Sequence, residues 1–167
     1  TVQIKPILID EELILKILDN LVYIYLGQSH DASEILSDVN NNISEKHDTL
    51  LKMRDITDQL YRELMNRNID QFVYALNENW LLKKYTSGHI SNNHIDDLYD
   101  KAMRYGALGG KVTGAGGGGF LMMYVPVEKQ EHFVKKMSGM KIMKFAIDHK
   151  GSRVIKTGDP ENLGYFY

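Results

Sequence analysis

The sequence predicts an α+β domain in which helices pack on an antiparallel sheet of about four strands. Three observations predict it: strand-like segments near both ends, a long helical middle, and a glycine-rich turn between two strands near residue 115. The order of strands, then helices, then strands favours a sheet with helices segregated on it over an alternating α/β fold. With 167 residues, the chain can bury one core, and we expect residues 1–167 to form a single domain.

The first part of the chain is predicted to contain two strands around a short helix. Residues 1–9 alternate in polarity, and Pro6 favours an edge strand. Asp10 can cap a helix over residues 11–19, whose apolar residues share one face. Residues 21–26 are almost all apolar, which predicts a central strand covered on both faces.

The middle of the chain is predicted to be helical because apolar residues recur there at helical spacing. Four helices are expected: one from Asp31, one over about 46–67, one over 70–85, and one from Asn92 or Asn93 to Gly106. The last part is predicted to form strands at 108–113 and 120–125, a helix at 128–137, and a closing strand pair at 141–147 and 152–156.

Composition excludes several classes of protein. The formal charge of −2 and the pI near 6.3 argue against a nucleic-acid-binding surface. The absence of cysteine excludes disulfides and thiolate metal sites, and the six histidines show no metal-binding spacing, so no metal ligand is predicted. No apolar run approaches the ~20 residues that cross a bilayer. We therefore expect a cytoplasmic protein that does not interact with membranes.

The most informative feature is the glycine run at residues 114–119. Seven of the 14 glycines lie between Gly109 and Gly119. Each glycine in ordered structure lowers the free energy of unfolding by about 0.5–1 kcal/mol relative to alanine. The seven glycines together therefore lower it by roughly 3–7 kcal/mol. Consecutive glycines can direct N–H groups at an anion that no Cβ obstructs, which favours a phosphate-binding loop. An ordinary flexible turn is the alternative.

Two familiar phosphate motifs fit this run poorly. Gly114-x-Gly116-x-x-Gly119 matches the dinucleotide-binding fingerprint, but that fingerprint opens a helix, and a predicted strand follows here. Gly110 and Lys111 resemble the end of a Walker A loop. However, Val112 occupies the position that requires Ser or Thr.

The segment from Lys111 to Phe120 resembles the third conserved motif of the GHMP superfamily, named for galactokinase, homoserine, mevalonate and phosphomevalonate kinases. The segments 80–84, 90–92 and 102–111 look like the bacterial D-glycero-D-manno-heptose 7-phosphate kinases, and the resemblance covers about residues 10–155. It implies a ferredoxin-like C-terminal domain, the substrate-side lobe of a kinase.

The resemblance further implies that the intact enzyme uses ATP and Mg²⁺ to phosphorylate the anomeric hydroxyl of D-glycero-D-manno-heptose 7-phosphate, in nucleotide-activated heptose biosynthesis. The family's Pro-x-x-x-Gly-Leu-Gly-Ser-Ser loop and its acidic catalytic and metal-binding residues are absent from this chain. An N-terminal lobe of the same protein is therefore an expected partner. No catalytic residue is assigned here, and this lobe alone is expected to be inactive.

One departure from the heptose kinase pattern leaves the substrate open. Near Gly27 that group has Thr-Gly followed by Arg, whereas this chain has Leu26-Gly27-Gln28-Ser29-His30. Another GHMP sugar kinase, of the fucose or galactose type, is one alternative. A non-catalytic module for binding a phosphorylated ligand or for dimerisation is another, and a homodimer is compatible with either.

The candidate residues form two sets. We expect ATP phosphates to bind at Gly114, Ala115, Gly116, Gly117, Gly118, Gly119 and Lys111. The resemblance places a sugar-phosphate substrate near Lys83, Lys84, Thr86, His30 and His89. Lys84 continues the buried stripe of Leu76 and Trp80 by the i+4 rule, and the resemblance implies a phosphate-binding role for one of the two lysines. The alternative for both lysines is a simple interaction with the helix C-terminus.

Overall fold

The structure is a computed structural model that describes residues 7–27 and 32–148. Its elements in chain order are helix α1 (Glu11–Asn20), strand β1 (Leu21–Tyr25), helices α2 (Ala32–Asn41), α3 (His47–Met65), α4 (Asp70–Thr86) and α5 (Asn93–Arg104), strands β2 (Gly109–Val112) and β3 (Phe120–Tyr124), helix α6 (Val127–Lys136) and strand β4 (Ile142–Met143). The predicted α+β class is confirmed.

The four strands form one sheet in the order β2-β3-β1-β4, and all neighbours are antiparallel. Helices α2 to α5 connect β1 to β2, and α6 connects β3 to β4. This is the ferredoxin-like arrangement, in which each of two crossovers skips one strand. β1 lies between β3 and β4, which confirms its predicted central position.

Two predicted helix caps are present. The Asp10 carboxylate accepts a hydrogen bond of 3.0 Å from the N–H of Leu13 at the start of α1. The side-chain oxygen of Asn92 accepts one of 3.0 Å from the N–H of Ile95 at the start of α5. Each side chain satisfies an amide that has no partner within its helix.

Apolar clusters cover both faces of the sheet. Alternate residues of a strand point to opposite faces, so Val22 and Ile24 join one cluster while Leu21 joins the other. The first cluster includes residues of α2, α5 and α6, and the second includes residues of α1 and α3. Helix α4 contributes Trp80 to the first and Leu76 to the second. It also packs against the edge strand β2, which places its C-terminal turn near the loop that follows β2.

The two ends of the chain differ from expectation. Residues 7–9, the described end of the expected first strand, contain no strand, and residues 1–6 lie outside the described ranges. β4 has two residues rather than the seven expected at 141–147, because its pairing with β1 ends at Met143 opposite Tyr23; beyond it, the Phe145 ring contacts the rings of Tyr23 and Phe120. The expected partner strand at 152–156 also lies outside the described ranges. Among the helices that the structure describes, none is long and apolar enough to span a membrane.

Candidate phosphate-binding site

The glycine run forms the loop between β2 and β3. Gly114, Gly116, Gly117 and Gly119 have φ angles of +70°, +123°, +71° and +81°. Residues with a Cβ rarely adopt such angles because the Cβ meets the neighbouring backbone. Four positions in this loop therefore favour glycine for its conformation alone.

The loop is anchored at its base and at its tip. At the base, Thr113 donates hydrogen bonds to the carbonyl oxygen of Phe120 from its N–H (2.9 Å) and its hydroxyl (3.2 Å). At the tip, the N–H of Gly117 donates to the carbonyl oxygen of Ile90 at 2.8 Å. A Cβ on Gly116 would lie 3.0 Å from the Cα and carbonyl oxygen of Ile90. Since its N–H is already bonded within the protein, Gly117 is the member of the predicted anion-binding set that cannot donate to an anion in this conformation.

Lys83 and Lys111 are the cationic side chains beside this loop. Lys83 lies in the last turn of α4, and its Nζ donates to the carbonyl oxygen of Gly114 at 2.5 Å. Lys111 lies on β2, three residues before Gly114. Both side chains are half-buried. Neither lysine forms an ion pair with a carboxylate in residues 7–27 or 32–148.

Burial changes the acidity of both ammonium groups. Burial, and secondly the positive charge of Lys111, lower the pKa of Lys83 from 10.5 to about 8. Burial also lowers the pKa of Lys111. Two like charges held partly out of water destabilise each other, and a bound anion relieves both effects. The pair is therefore suited to binding a phosphate.

Lys84 and Thr86 make internal contacts instead. Lys84 Nζ lies 3.1 Å from the Asp96 carboxylate and 5.7 Å from the centroid of the Trp80 ring. The i+4 stripe correctly places Lys84 beside Trp80. However, α4 is covered on more than one side, so the neighbouring position 83 also faces the protein and is the one that reaches the glycine loop. The buried Thr86 donates its hydroxyl to the carbonyl oxygen of Lys83 at 2.7 Å.

One of the two candidate histidines, His89, lies within the described residues. His89 is exposed and precedes Ile90, whose carbonyl oxygen accepts the hydrogen bond from Gly117. His30 lies outside the described residues.

Sequence reasoning missed a polar connection behind this segment. The hydroxyl of the buried Ser87 donates to the Asp38 carboxylate on α2 and accepts from the N–H of His89 at 3.1 Å. The pair joins α2 to the segment that holds the tip of the glycine loop. No sequence signal indicates it, since the two side chains are 49 residues apart.

No group of three or more His, Cys, Asp or Glu side chains is placed to hold a metal ion in the part of the chain that the structure describes. Within those residues, the site therefore offers cationic and amide donors rather than metal ligands. This chemistry suits the phosphate oxygens of a nucleotide or of a sugar phosphate.

The family model that matches this chain is that of the GHMP kinases C terminal, over residues 45–138. The match covers more than half of the chain and includes Lys83, Lys111 and the whole glycine loop. The chain belongs to this family. The resemblance found in the glycine motif is thereby confirmed.

Among related proteins, the bifunctional fucokinase/GDP-fucose pyrophosphorylase of Arabidopsis thaliana is 26% identical over 140 residues, which is 81% of this chain and 13% of that protein. The D-glycero-alpha-D-manno-heptose 7-phosphate kinase of Campylobacter jejuni is 31% identical over 74 residues, 44% of this chain and 22% of that protein. The crystal structure of Methanococcus jannaschii mevalonate kinase aligns with a TM-score of 0.59 at 25% identity, covering 81% of this chain and 42% of that one. The chain thus spans under a quarter of the length of these two curated relatives.

Proposed function

We propose that the protein containing this GHMP kinase C-terminal domain is an ATP-dependent kinase of a small metabolite, and that the described lobe forms one wall of its phosphate site. The observation that carries the proposal is the pair Lys83 and Lys111. Both ammonium groups are half-buried beside the glycine loop without a carboxylate partner among the described residues. Phosphoryl transfer depends mainly on positioning and charge neutralisation, which such groups provide.

The roles of the individual groups follow from their geometry. The Lys83 ammonium has three donors, and one of them is used on Gly114, so two remain for phosphate oxygens. Lys111 adds a second positive charge next to the loop. The glycines let a phosphate approach the backbone without meeting a Cβ: at Gly114 and Gly119 the space that a Cβ would occupy has nothing within 4 Å.

ATP, the proposed phosphoryl donor, would supply the γ-phosphoryl group, and its phosphates fit a site of two ammonium groups and a glycine loop. The carboxylates for Mg²⁺ and the catalytic base are proposed to lie in an N-terminal lobe of the same protein. We accordingly propose that this lobe alone does not turn over. Association into a homodimer is compatible with the proposal and is not required by it.

For the acceptor we propose D-glycero-D-manno-heptose 7-phosphate, phosphorylated at its anomeric hydroxyl. Support comes from the sequence segments around Trp80, Ile90 and the glycine loop, and from the 31% identity with the Campylobacter jejuni enzyme. A fucose-type substrate is the second candidate, because the Arabidopsis thaliana fucokinase matches 81% of the chain.

The test is a substrate panel on the intact protein with ATP and Mg²⁺, using heptose 7-phosphate, fucose, galactose and mevalonate. ADP release gives the rate, and phosphorus NMR of the product gives the position of the new phosphate. We expect kcat/KM for heptose 7-phosphate to exceed that for the others by about a hundredfold or more, since a site built for a phosphate rejects ligands that lack it. Turnover of fucose instead would reassign the acceptor. If none of the four compounds leads to ADP release, the proposed acceptors are contradicted. If the protein binds phosphate but releases ADP with none of them, a non-catalytic binding module is favoured.

A further inference from the structure

Asn77 makes three hydrogen bonds from the middle of α4. Its side-chain oxygen accepts from the hydroxyl of Tyr99 at 2.7 Å and from the N–H of Gly110 at 3.2 Å. Its side-chain nitrogen donates to the carbonyl oxygen of Leu108 at 3.0 Å. An asparagine amide offers two donors and two acceptor sites, so three of its four capacities are used. Asn77 thereby joins α4 to β2 and to α5.

Gly109, the first residue of β2, permits this contact. A Cβ on Gly109 would lie only 2.4 Å from the side-chain oxygen of Asn77. Gly109 has no positive φ, so close approach rather than backbone conformation requires glycine at this position. Part of the glycine cluster therefore serves the packing of α4 on β2 and not the phosphate loop.

The same two elements carry the two lysines of the site. Lys83 follows Asn77 by six residues on α4, which is about 9 Å along the helix axis. Lys111 directly follows Gly110, whose N–H donates to Asn77. The contact between Asn77 and Gly110 therefore sets the spacing of the α4 and β2 backbones from which the Lys83 and Lys111 side chains extend.

We propose that Asn77 is a positioning residue of the phosphate site, which holds α4 on β2 so that Lys83 and Lys111 bind one anion together. This inference rests on the proposed function, since it assumes that the two lysines bind phosphate. Asn77 itself is assigned no contact with a substrate. It acts through the two elements that it connects.

A purely structural role makes a different prediction. Loss of a structural contact lowers the melting temperature and lowers binding in proportion to the folded fraction, but it leaves the pH dependence of binding unchanged. Loss of a positioning contact separates the two ammonium groups. Because the charge of Lys111 contributes to the lowered pKa of Lys83, separation raises that pKa and moves the alkaline limit of binding to higher pH.

The experiment compares Asn77→Leu with Asn79→Leu in the intact protein, using inorganic pyrophosphate as the probe and titration calorimetry at several pH values around 8. Asn79 is a matched control because it is a half-buried asparagine of the same helix whose side chain makes no hydrogen bond to any described residue. We expect Asn77→Leu to weaken pyrophosphate binding about tenfold, as the loss of one well-placed ammonium contact would, and to shift the alkaline midpoint of binding upward. Asn79→Leu should show neither effect.

Tyr99→Phe is a second variant, which removes one of the three hydrogen bonds of Asn77. It should give smaller changes in the same directions, and it replaces Asn77→Leu if that variant does not fold.

The lysine variants separate the two possible failures. If Lys83→Met and Lys111→Met leave pyrophosphate binding unchanged, the proposed function fails, and the inference fails with it. If those variants lose binding while Asn77→Leu and Tyr99→Phe match Asn79→Leu in affinity and pH midpoint, the inference is overturned and the proposed function stands.

Discussion

Lys83 donates a hydrogen bond from its Nζ to the carbonyl oxygen of Gly114, at 2.5 Å, across 31 residues of sequence. The bond ties the last turn of α4 to the first glycine of the loop. It also holds the ammonium group beside the loop before any ligand is present. A donor that is already in place needs little reorganisation when an anion arrives, which is the condition under which charge neutralisation is most effective.

Replacement of Lys83 by methionine should weaken ATP binding with little effect on stability. A charge-assisted hydrogen bond is worth about 1.5–3 kcal/mol, which corresponds to roughly a tenfold to hundredfold loss of affinity. Methionine keeps much of the aliphatic stem and removes a half-buried charge, so the melting temperature should not fall. Calorimetric titration of the intact protein with ATP·Mg²⁺ measures the affinity, and thermal unfolding measures the melting temperature.

Lys84→Met is the matched control for this variant. Lys84 forms an ion pair with Asp96. Because this pair is partly exposed, its loss should change the free energy of unfolding by less than about 1 kcal/mol. ATP affinity should stay within about twofold of the wild-type value, as expected for a charge outside the site. A loss of affinity equal to that of Lys83→Met would show that the structure assigns the wrong lysine to the loop.

Anion affinity should fall as the pH rises through about 8. The lowered pKa means that Lys83 loses its proton in this range, and the neutral amine no longer attracts phosphate. A bound anion favours the charged form, so binding near pH 8 should be accompanied by proton uptake. Calorimetry in two buffers of different ionisation enthalpy measures that uptake. In Lys83→Met the proton uptake that is due to Lys83 should disappear. Proton uptake that persists unchanged in this variant would show that another group titrates.

Alanine substitutions at Gly116 and Gly114 should differ in their effect on stability. Gly114→Ala meets no atom within 4 Å and carries only the cost of a positive φ, about 1–2 kcal/mol. Gly116→Ala adds a contact of 3.0 Å with the backbone of Ile90, so we expect a loss of about 3 kcal/mol or more. Urea unfolding of both variants gives the comparison. Equal losses would mean that Ile90 does not confine the loop.

Ser87→Ala should destabilise the segment that supports the loop tip. The change removes the Ser87 donor from the Asp38 carboxylate, which keeps the Asn42 amide as its other donor, and leaves the N–H of His89 without its acceptor, at a cost of about 1 kcal/mol. Hydrogen exchange of the amides at residues 87–90 should accelerate relative to wild type. Ser37→Ala on the exposed face of α2 is the control and should leave exchange there unchanged.

Local signals were sufficient to predict much of the fold. The caps at Asp10 and Asn92 depend on residues three positions apart, and the apolar run from Leu21 shows that β1 is internal. The length of β4 was overestimated because a strand ends where its pairing with a neighbour ends, here opposite Tyr23 of β1, and that partner lies far away in the sequence.

The candidate site was predictable only in part, for the same reason. The loop itself is visible as glycines in sequence, but the choice of Lys83 over Lys84 depends on how α4 is packed against β2. The bond from Gly117 to Ile90 removes an expected donor and spans 27 positions, so no local pattern could indicate it. Asn77 had one indirect signal, Gly109 at the start of β2, because glycine within a strand often marks a close approach of another element.

The measurement that most directly tests the central claim is the affinity of the intact protein for ATP·Mg²⁺ in wild type and in the double variant Lys83→Met/Lys111→Met. If these two side chains and the glycine loop form the phosphate site, wild type binds saturably, and the double variant binds at least about a hundredfold more weakly at an unchanged or higher melting temperature. Equal affinity of the two proteins would contradict the account.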